Sequence, residues 1–248
     1  MAWSEIWKSI EDAHFDGETY RWSFYRSLLG DYDFRGKKVL EIGCGTGINS
    51  VFMAMAGADV TFLDSSREAL RIVRKALDRF SLDGELVCEN AFRHEFRNEF
   101  DLVHSEGVIE HFRGEYRQRI VDTHTSAARN GGKVLIMVPN LKCPPYRIGK
   151  FIAEKTGAWI YGNEYPYSKN ELAGRMKRSG LELEKMQGAE LFFSPGWLFS
   201  PLWQRFPGFL SMSVSASAKS GVVRLNYNTR LFDGWGVVLG AVGKKRLA

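Results

Sequence analysis

The chain has 248 residues, of which 44% are hydrophobic, 25% charged and 13% aromatic, and its formal net charge is +5. This ordinary globular composition excludes disordered, collagen-like and disulfide-stapled proteins, and the length suits one large domain. The apolar runs are shorter than the roughly 18 residues of a membrane-spanning helix, and acids stand where a signal peptide would be basic. The three cysteines, Cys44, Cys88 and Cys143, cannot all pair, so we expect a reduced, cytoplasmic setting.

The charge is unevenly distributed along the chain. Residues 1–140 carry 18 Lys and Arg against 22 Asp and Glu, a balance of −4, whereas residues 141–248 carry 16 against 7, a balance of +9. A basic half is typical of proteins that bind nucleic acid, anionic lipid or an acidic small molecule, and also of a plain solvated surface. The charge alone leaves these alternatives open.

Predicted helices and strands alternate through most of the chain. Trp3, Ile6, Trp7 and Ile10 recur at helical spacing and predict an amphipathic N-terminal helix. Apolar runs predict strands at 37–43, 58–64, 84–90, 100–106 and 132–140, with helices at 48–57, at 68–80 behind a capping box at Ser65–Glu68, and near 113–129. This alternation predicts an α/β, doubly wound sheet. An irregular segment at 141–168, a helix at 168–180 and strands at 181–187 and 235–245 follow.

The most informative segment is the glycine loop, residues 41–47 (Glu-Ile-Gly-Cys-Gly-Thr-Gly), between the first strand and its helix. Ligands of open α/β sheets bind at the carboxyl ends of the strands, and glycines there let a ligand approach the backbone closely. A dinucleotide loop needs glycine or alanine where Ile48 stands, and a phosphate loop needs a following Gly-Lys-Ser/Thr. Because Glu41 would repel a phosphate and attract a sulfonium or ammonium, the loop favours a cationic nucleoside.

Two further strand ends support a nucleoside. Asp64 ends the second strand 23 residues after Glu41, close to the offset of the acid that binds ribose hydroxyls in dinucleotide-binding folds. The alternative role of Asp64 is an acid that stabilises a helix N-terminus. Asn90 and Ala91 end the third strand, where an adenine edge would lie, unless they form a plain loop.

These motifs, with FDLVHSEGVIEHF at 100–112 and GGKVLIMVPN at 131–140, resemble a class I S-adenosylmethionine (SAM)-dependent methyltransferase of the small-molecule UbiE/type-11 group. The resemblance covers residues 37–140. It implies a Rossmann-like seven-stranded sheet of order 3-2-1-4-5-7-6, with strand 7 antiparallel, helices on both faces and an aromatic cap. We therefore expect an N-terminal helical lid at 1–30, a SAM-binding core at 31–140, and acceptor-side insertions plus the last two core strands at 141–248.

The resemblance also implies roles for individual residues toward SAM as cofactor. Asp64 would bind the ribose, Ser65 would lie beside the adenine, and Ser105 and Glu106 would flank the sulfonium. The residues that would line the methionine part are Glu41, Gly43, Cys44, Gly45, Thr46 and Gly47. The residues that would line the adenine pocket are Asn90 and Ala91. The family often has an acid at the position of Asn90.

Methyl transfer from a sulfonium is an in-line displacement, which mainly requires the acceptor and the methyl group to be aligned in a dry pocket. A general base is needed only where the acceptor loses a proton. His111 is the catalytic candidate, because neutral imidazole is a base near pH 7; its alternative role is a hydrogen bond within the turn after the fourth strand. We expect His104 to be a buried strand residue, and we predict no metal site because the histidines show no ligand spacing.

One motif points to nucleic acid as the substrate. Cys143–Tyr146 (Cys-Pro-Pro-Tyr) is similar to the Asn/Asp-Pro-Pro-Tyr motif of amino-group DNA and RNA methyltransferases, but it begins with cysteine and follows the fifth predicted strand instead of the fourth. Nucleic-acid methylation is therefore disfavoured. An RNA methyltransferase that uses the basic half is kept as an alternative, as is a non-catalytic SAM-binding module.

Acceptor choice is expected to come from the N-terminal helix, the 141–168 insertion and residues 191–218. The last segment holds seven aromatic residues and one charged residue, Arg205. This composition fits an apolar cap over a lipid- or quinone-like acceptor, contact with a membrane surface, or a cap that forms a core or a dimer. We predict a small, apolar or aromatic acceptor methylated at O, N or C, and the sequence leaves the oligomeric state open.

Overall fold

A single seven-stranded sheet forms the centre of the protein in a computed structural model that describes residues 3–8, 20–189 and 235–247. The strands are β1 (Lys38–Ile42), β2 (Asp59–Asp64), β3 (Glu85–Cys88), β4 (Phe100–Glu106), β5 (Ala128–Pro139), β6 (Leu181–Ala189) and β7 (Val238–Lys245). Their order is β3-β2-β1-β4-β5-β7-β6. β1 to β5 pair in parallel, whereas β7 is antiparallel to both β5 and β6. The predicted strand order and the antiparallel last strand are confirmed.

Helices cover both faces of this sheet. They are α1 (Trp3–Lys8), α2 (Tyr20–Leu29), α3 (Ile48–Met55), α4 (Arg67–Phe80), α5 (Tyr116–Ala127), α6 (Pro144–Lys155) and α7 (Lys169–Arg178), with a 3-10 turn at Ile109–His111 after β4. Apolar side chains of α2, α3 and α4 share one buried cluster, and those of α5 and α7 share a second. The sheet is therefore the middle of three layers, as the doubly wound prediction requires.

Alternation along β1 determines which way Glu41 faces. Successive strand side chains point to opposite faces. Val39 packs in the cluster of α2, α3 and α4, whereas Leu40 and Ile42 pack in the cluster of α5 and α7. Glu41 therefore points to the α2 and α3 side, between two apolar neighbours in a strand that is buried along most of its length.

Two local features differ from the sequence predictions. Ser66, and not Ser65, caps α4: its backbone is extended and its hydroxyl oxygen accepts the amide of Ala69 at 3.3 Å. Glu68 is then one position too early to reach back to the cap amide, and it accepts the Ser66 hydroxyl instead. β5 begins at Ala128, four residues earlier than predicted, because its ladder with β4 continues through a bulge.

The segment at 141–168 is more regular than its composition indicates, since it contains α6. This helix begins with Pro144 and Pro145 after an extended Cys143. Proline is tolerated in the first turn because the amide that it lacks has no partner within the helix. Proline and glycine, which suggested an irregular segment, here mark the helix start and the turn after it.

The sheet crosses the expected boundary at residue 140. β6 and β7 come from the 141–248 region, and β7 pairs directly with β5 of the expected core. The domain division itself stays a prediction, and residues 191–218 lie outside the described residues. Within the described parts of the chain, no helix combines the length and the apolar character needed to cross a membrane.

Candidate functional site

The glycine loop turns between β1 and α3 at the carboxyl end of the sheet. Gly43, Gly45 and Gly47 all have φ between +53° and +67°, a region in which residues with a side chain are strained. The amides of Gly43 and Cys44 both donate to the carbonyl oxygen of Leu63, at 2.7 and 3.1 Å. These bonds hold the loop against the end of β2, and the backbone requires glycine at each of the three positions.

Asp64 joins the glycine loop to the start of α4. It ends β2, is 9% exposed, and accepts the Gly45 amide at Oδ2 and the Ser66 amide at Oδ1, both at 2.9 Å. Burial raises the pKa of its carboxyl, and the backbone amides oppose that rise. Because each carboxylate oxygen has two lone pairs, Asp64 can organise the loop and still accept hydrogen bonds from ligand hydroxyls.

Glu41 is linked to helix α2 through a buried hydrogen-bonded series. The Tyr25 hydroxyl lies 3.1 Å from Nδ1 of His104, and the Ser50 hydroxyl lies 2.8 Å from Nε2 of the same ring. Ser50 also hydrogen-bonds the carboxyl of Glu41, whereas Oε2 of Glu41 has no hydrogen-bond partner among the described residues. Burial lowers the pKa of His104 to about 3, so its ring is neutral. The prediction of a buried His104 is confirmed.

The burial of Glu41 predicts a pH effect on stability. Burial raises its pKa from an ordinary 4.5 to about 8, so the neutral carboxyl fits the fold, and the stability this provides is lost as the pH rises through about 8. We expect Glu41→Gln to gain stability relative to the wild type between about pH 5 and pH 8, by at most about 1.4 kcal/mol per pH unit. Urea unfolding across that range measures the difference, with the exposed Glu115→Gln as control. A difference that does not change with pH would contradict the expectation.

Ser105 and Glu106, at the end of β4, face opposite sides of the sheet. The Ser105 hydroxyl is buried and lies 2.8 Å from Nε2 of His124 in α5. Glu106 is half-buried on the other side, where it accepts Nδ2 of Asn49 at 2.9 Å and pairs with Arg21 of α2. Of the two, only Glu106 has its side chain on the face of the glycine-loop helix α3.

The residues predicted beside the adenine lie at the neighbouring ends of β2 and β3. Asp64 pairs with Cys88 in the ladder, and the Cys88 thiol lies 3.9 Å from the Ser65 carbonyl oxygen. Asn90 is exposed, and its side-chain oxygen accepts the Phe92 amide at 2.8 Å. Ser65 is exposed and Ala91 half-buried, so this edge is accessible from solvent.

The N-terminal helix α1 lies over the glycine loop. A Cβ added to Gly45 would lie 2.9 Å from the indole of Trp7, and the Trp3 ring packs edge-on against His111 with centroids 5.0 Å apart. The helical spacing of these tryptophans predicts a packed face but carries no signal of its partner, so Trp7 was missed as a site residue. The two tryptophans connect the loop with the turn after β4.

His111 is hydrogen-bonded to the backbone. Its Nδ1 lies 2.7 Å from the Asn163 carbonyl oxygen, and the Gly107 carbonyl also faces the ring. Burial lowers the pKa of the imidazole, which keeps it neutral near pH 7. Catalysis by His111 stays a prediction.

The described residues contain no group of three or more His, Cys, Asp or Glu side chains placed to hold a metal ion. Cys44 and Cys143 are buried, Cys88 is exposed, and all three are free thiols. The sequence expectation of a metal-free site is not tested by this arrangement.

Comparison with known proteins identifies the class to which this fold and site belong. The family model of the methyltransferase domain matches residues 14–186. A ubiquinone biosynthesis O-methyltransferase from Thiobacillus denitrificans is 31% identical over 174 residues, which cover 68% of this chain and 72% of the relative. A ubiquinone biosynthesis O-methyltransferase from Ralstonia nicotianae is 29% identical over 161 residues, which cover 62% of this chain and 67% of the relative. The chain belongs to the methyltransferase domain family and is a class I SAM-dependent methyltransferase.

Solved structures share the fold at low sequence identity. Magnesium protoporphyrin IX methyltransferase from Synechocystis, with S-adenosylhomocysteine bound, has a TM-score of 0.58 at 14% identity and covers 98% of this chain and 82% of its own. Phosphoethanolamine N-methyltransferase 2 from Haemonchus contortus has a TM-score of 0.59 at 19% identity, and the match covers 91% of this chain and 52% of that protein.

The residues present fit SAM. Oε2 of Glu41 is a buried carboxyl oxygen with no partner among the described residues, and it can accept a hydrogen bond from the ammonium of the methionine part. Asp64 has lone pairs to spare for two ribose hydroxyls. The glycine loop between them turns through three residues with positive φ, and glycine at such positions lets a ligand approach the backbone closely.

Proposed function

We propose that the chain transfers a methyl group from SAM to a hydroxyl group of a small aromatic molecule. Transfer to oxygen, in preference to nitrogen or carbon, is supported by the ubiquinone biosynthesis O-methyltransferases to which the chain is related. An aromatic acceptor is supported by the rings between α6 and α7: Trp159 and Tyr161 have centroids 5.2 Å apart, and Arg21 of α2 is near enough for its charge to oppose the rise that burial gives to the pKa of Tyr161.

The observation that carries the cofactor half of the proposal is the bond of Asp64 to the glycine loop. SAM supplies a methyl group on a positively charged sulfur. In our assignment Glu41 and the loop residues bind the methionine part, Asp64 binds the ribose, and Ser65, Asn90 and Ala91 lie beside the adenine. Ser105 contributes backbone at the end of β4, and Glu106, paired with Arg21, places negative charge near the sulfonium.

The chain's contribution to the reaction is positioning and exclusion of water. An in-line displacement proceeds when acceptor oxygen, methyl carbon and sulfur are held in line in a dry pocket, and such alignment accounts for much of the rate. α1 places Trp7 against Gly45 and Trp3 against His111, and we expect these rings to keep water from the site.

An acceptor screen tests the proposal. The chain is incubated with SAM carrying a labelled methyl group and with matched sets of phenols, catechols, amines and short RNAs, and mass spectrometry follows the methylated product and S-adenosylhomocysteine. We expect methyl ethers of phenols or catechols. Methylation of amines alone would contradict the O-transfer proposal, and methylation of RNA alone would favour the nucleic-acid alternative.

Two further expectations stay predictions. Membrane-surface contact through residues 191–218 rests on their composition, since they lie outside the described part of the chain. The cytoplasmic setting rests on the three cysteines.

A further inference from the structure

Glu110 is a buried carboxylate that the assignment above leaves without a role. It lies in the 3-10 turn that follows β4 and is 2% exposed. Its Oε2 has no hydrogen-bond partner within the described residues. Leaving a buried carboxyl oxygen unpaired is costly, so this atom is a candidate for contact with a ligand.

The two cations that face Glu110 make their bonds to other groups. Arg117 donates from Nε to Glu171 and from Nη1 to the Tyr165 carbonyl oxygen, both at 2.9 Å, and Arg21 pairs with Glu106. The titratable and charged groups that face Glu110 from the elements around it are Arg21 of α2, Arg117 of α5, Tyr146 of α6, and Glu164 and Tyr167 between α6 and α7.

Space adjoins the Glu110 carboxylate on the side of β4. A Cβ added to Gly107 would have a single neighbour within 4 Å among the described residues, Oε1 of Glu110 at 3.6 Å. Gly107 directly follows Glu106, which we place near the sulfonium. The Glu110 carboxylate therefore adjoins the end of β4 that we assign to the sulfonium, and on another side it faces Glu164 of the segment that we assign to the acceptor.

The acceptor side of Glu110 carries a second carboxyl. Glu164 is largely buried and accepts the hydroxyl of Tyr146. Tyr146 is itself 1% exposed and faces both Glu110 and Glu164. Carboxylate oxygens next to aromatic rings suit a ring that carries hydroxyl donors.

His111, the sequence candidate for the base, is less suited to this task. Its Nδ1 donates to the Asn163 carbonyl oxygen, the Trp3 ring packs edge-on against it, and the Gly107 carbonyl faces it, whereas Oε2 of the neighbouring Glu110 has no hydrogen-bond partner among the described residues. A base must reach the proton that it removes within hydrogen-bonding distance, and an oxygen with no partner among the residues that the structure describes can do so without breaking a bond described there.

We propose that Glu110 is the catalytic base, which takes the proton of a phenolic hydroxyl as that oxygen attacks the methyl group. The acceptor oxygen forms a bond to the methyl carbon while the carbon–sulfur bond breaks and its electron pair stays on sulfur. The proton moves to Oε2 of Glu110 and later to solvent. The products are a methyl aryl ether and neutral S-adenosylhomocysteine. This inference rests on the proposed O-methyltransferase function.

The charges around Glu110 give the proposal a pH signature. Burial, with the nearby Glu164, raises the pKa of Glu110, and Arg117 and Arg21 oppose the rise. Only the ionised carboxylate accepts a proton, so turnover rises with pH until Glu110 is ionised. A raised pKa also makes the carboxylate a stronger base for a phenol.

The test compares Glu110→Gln, Glu164→Gln and His111→Gln with the wild type, and uses Glu115→Gln as the exposed carboxyl control. Turnover is measured between pH 6 and 9 with catechol or the phenol methylated fastest, and SAM binding is measured separately by calorimetry. We expect Glu110→Gln to bind SAM as the wild type does, to lose about 100- to 10,000-fold in kcat, and to lose the rise of turnover with pH. We expect Glu164→Gln to keep the rise but shift it to lower pH, since it removes a neighbouring negative charge.

The outcomes separate this inference from the proposed function. If Glu110→Gln keeps wild-type turnover and its pH dependence, or if only His111→Gln abolishes the rise, Glu110 is not the base. If the wild type binds SAM but methylates amines and no phenol, the O-transfer proposal fails and the inference fails with it. A thermal melt of Glu110→Gln that matches the wild type shows that a lost rate is not a lost fold.

Discussion

Replacing Asp64 with alanine is expected to weaken SAM binding by about 10- to 100-fold, or about 1.5–3 kcal/mol, the range for lost hydrogen bonds to a charged group. The substitution removes the acceptor proposed for the ribose hydroxyls. It also removes the acceptor of the Gly45 and Ser66 amides, at 2.9 Å each, so the glycine loop and the start of α4 lose their common anchor. Isothermal titration of both proteins with SAM measures the change.

Asp59 offers a matched control for this experiment. It begins β2, at the opposite end of the strand, and is exposed. Asp59→Ala therefore removes the same chemical group from the same strand without touching the site, and we expect its SAM affinity to equal that of the wild type. An unchanged affinity for Asp64→Ala as well would contradict the assignment of the ribose site.

Replacing Gly47 with alanine is expected to lower the free energy of unfolding by about 2–5 kcal/mol. Two costs contribute: the strain of a residue with a side chain in the left-handed region, and the crowding of the added methyl group in a packed core. The φ angle of Gly47 is +64°, and the added Cβ would lie 2.9 Å from both the Phe62 ring and Cγ2 of Val73. Both neighbours are fully buried in the cluster of α2, α3 and α4. The midpoint and slope of urea unfolding measure the loss.

Gly114 separates the two contributions. Its φ is +57°, but an added Cβ would meet no described atom within 4 Å. We expect Gly114→Ala to cost only the backbone strain of about 1–2 kcal/mol. If the two alanine variants lose equal stability, close packing is not the reason for glycine at position 47.

The sequence carries enough information to predict the sheet and the cofactor loop. Glycines at 43, 45 and 47 stand at the three positions where the backbone of the loop takes a positive φ. The short apolar runs locate β1, β2 and β4 within about a residue, because parallel strands buried on both faces have few polar positions. The strand order came from the family resemblance.

Side-chain direction at the end of β4 was also within reach of the sequence. Ser105 and Glu106 were both expected near the sulfonium, yet successive strand residues face opposite ways. His104 and Glu106 point to the α3 side, and Ser105 points to His124 in α5. The alternation of side chains along a strand was enough to predict that Ser105 and Glu106 face opposite sides of the sheet.

Contacts between distant segments were beyond prediction. Tyr25 and His104 are 79 residues apart and meet only because α2 packs on the sheet beside β4. Likewise, the burial of Glu110 depends on Tyr146 and Glu164, which approach it from α6 and the segment that follows. The sequence alone predicts that a charged residue next to a turn is exposed to solvent, and no local pattern indicates which later segment will cover it.

We assign the glycine loop and Asp64 to a SAM site and not to a dinucleotide site. Parallel calorimetric titrations of the wild type with SAM and with NADH test it most directly. We expect micromolar affinity for SAM, about −8 kcal/mol, and no binding of NADH. Binding of NADH without binding of SAM would contradict it.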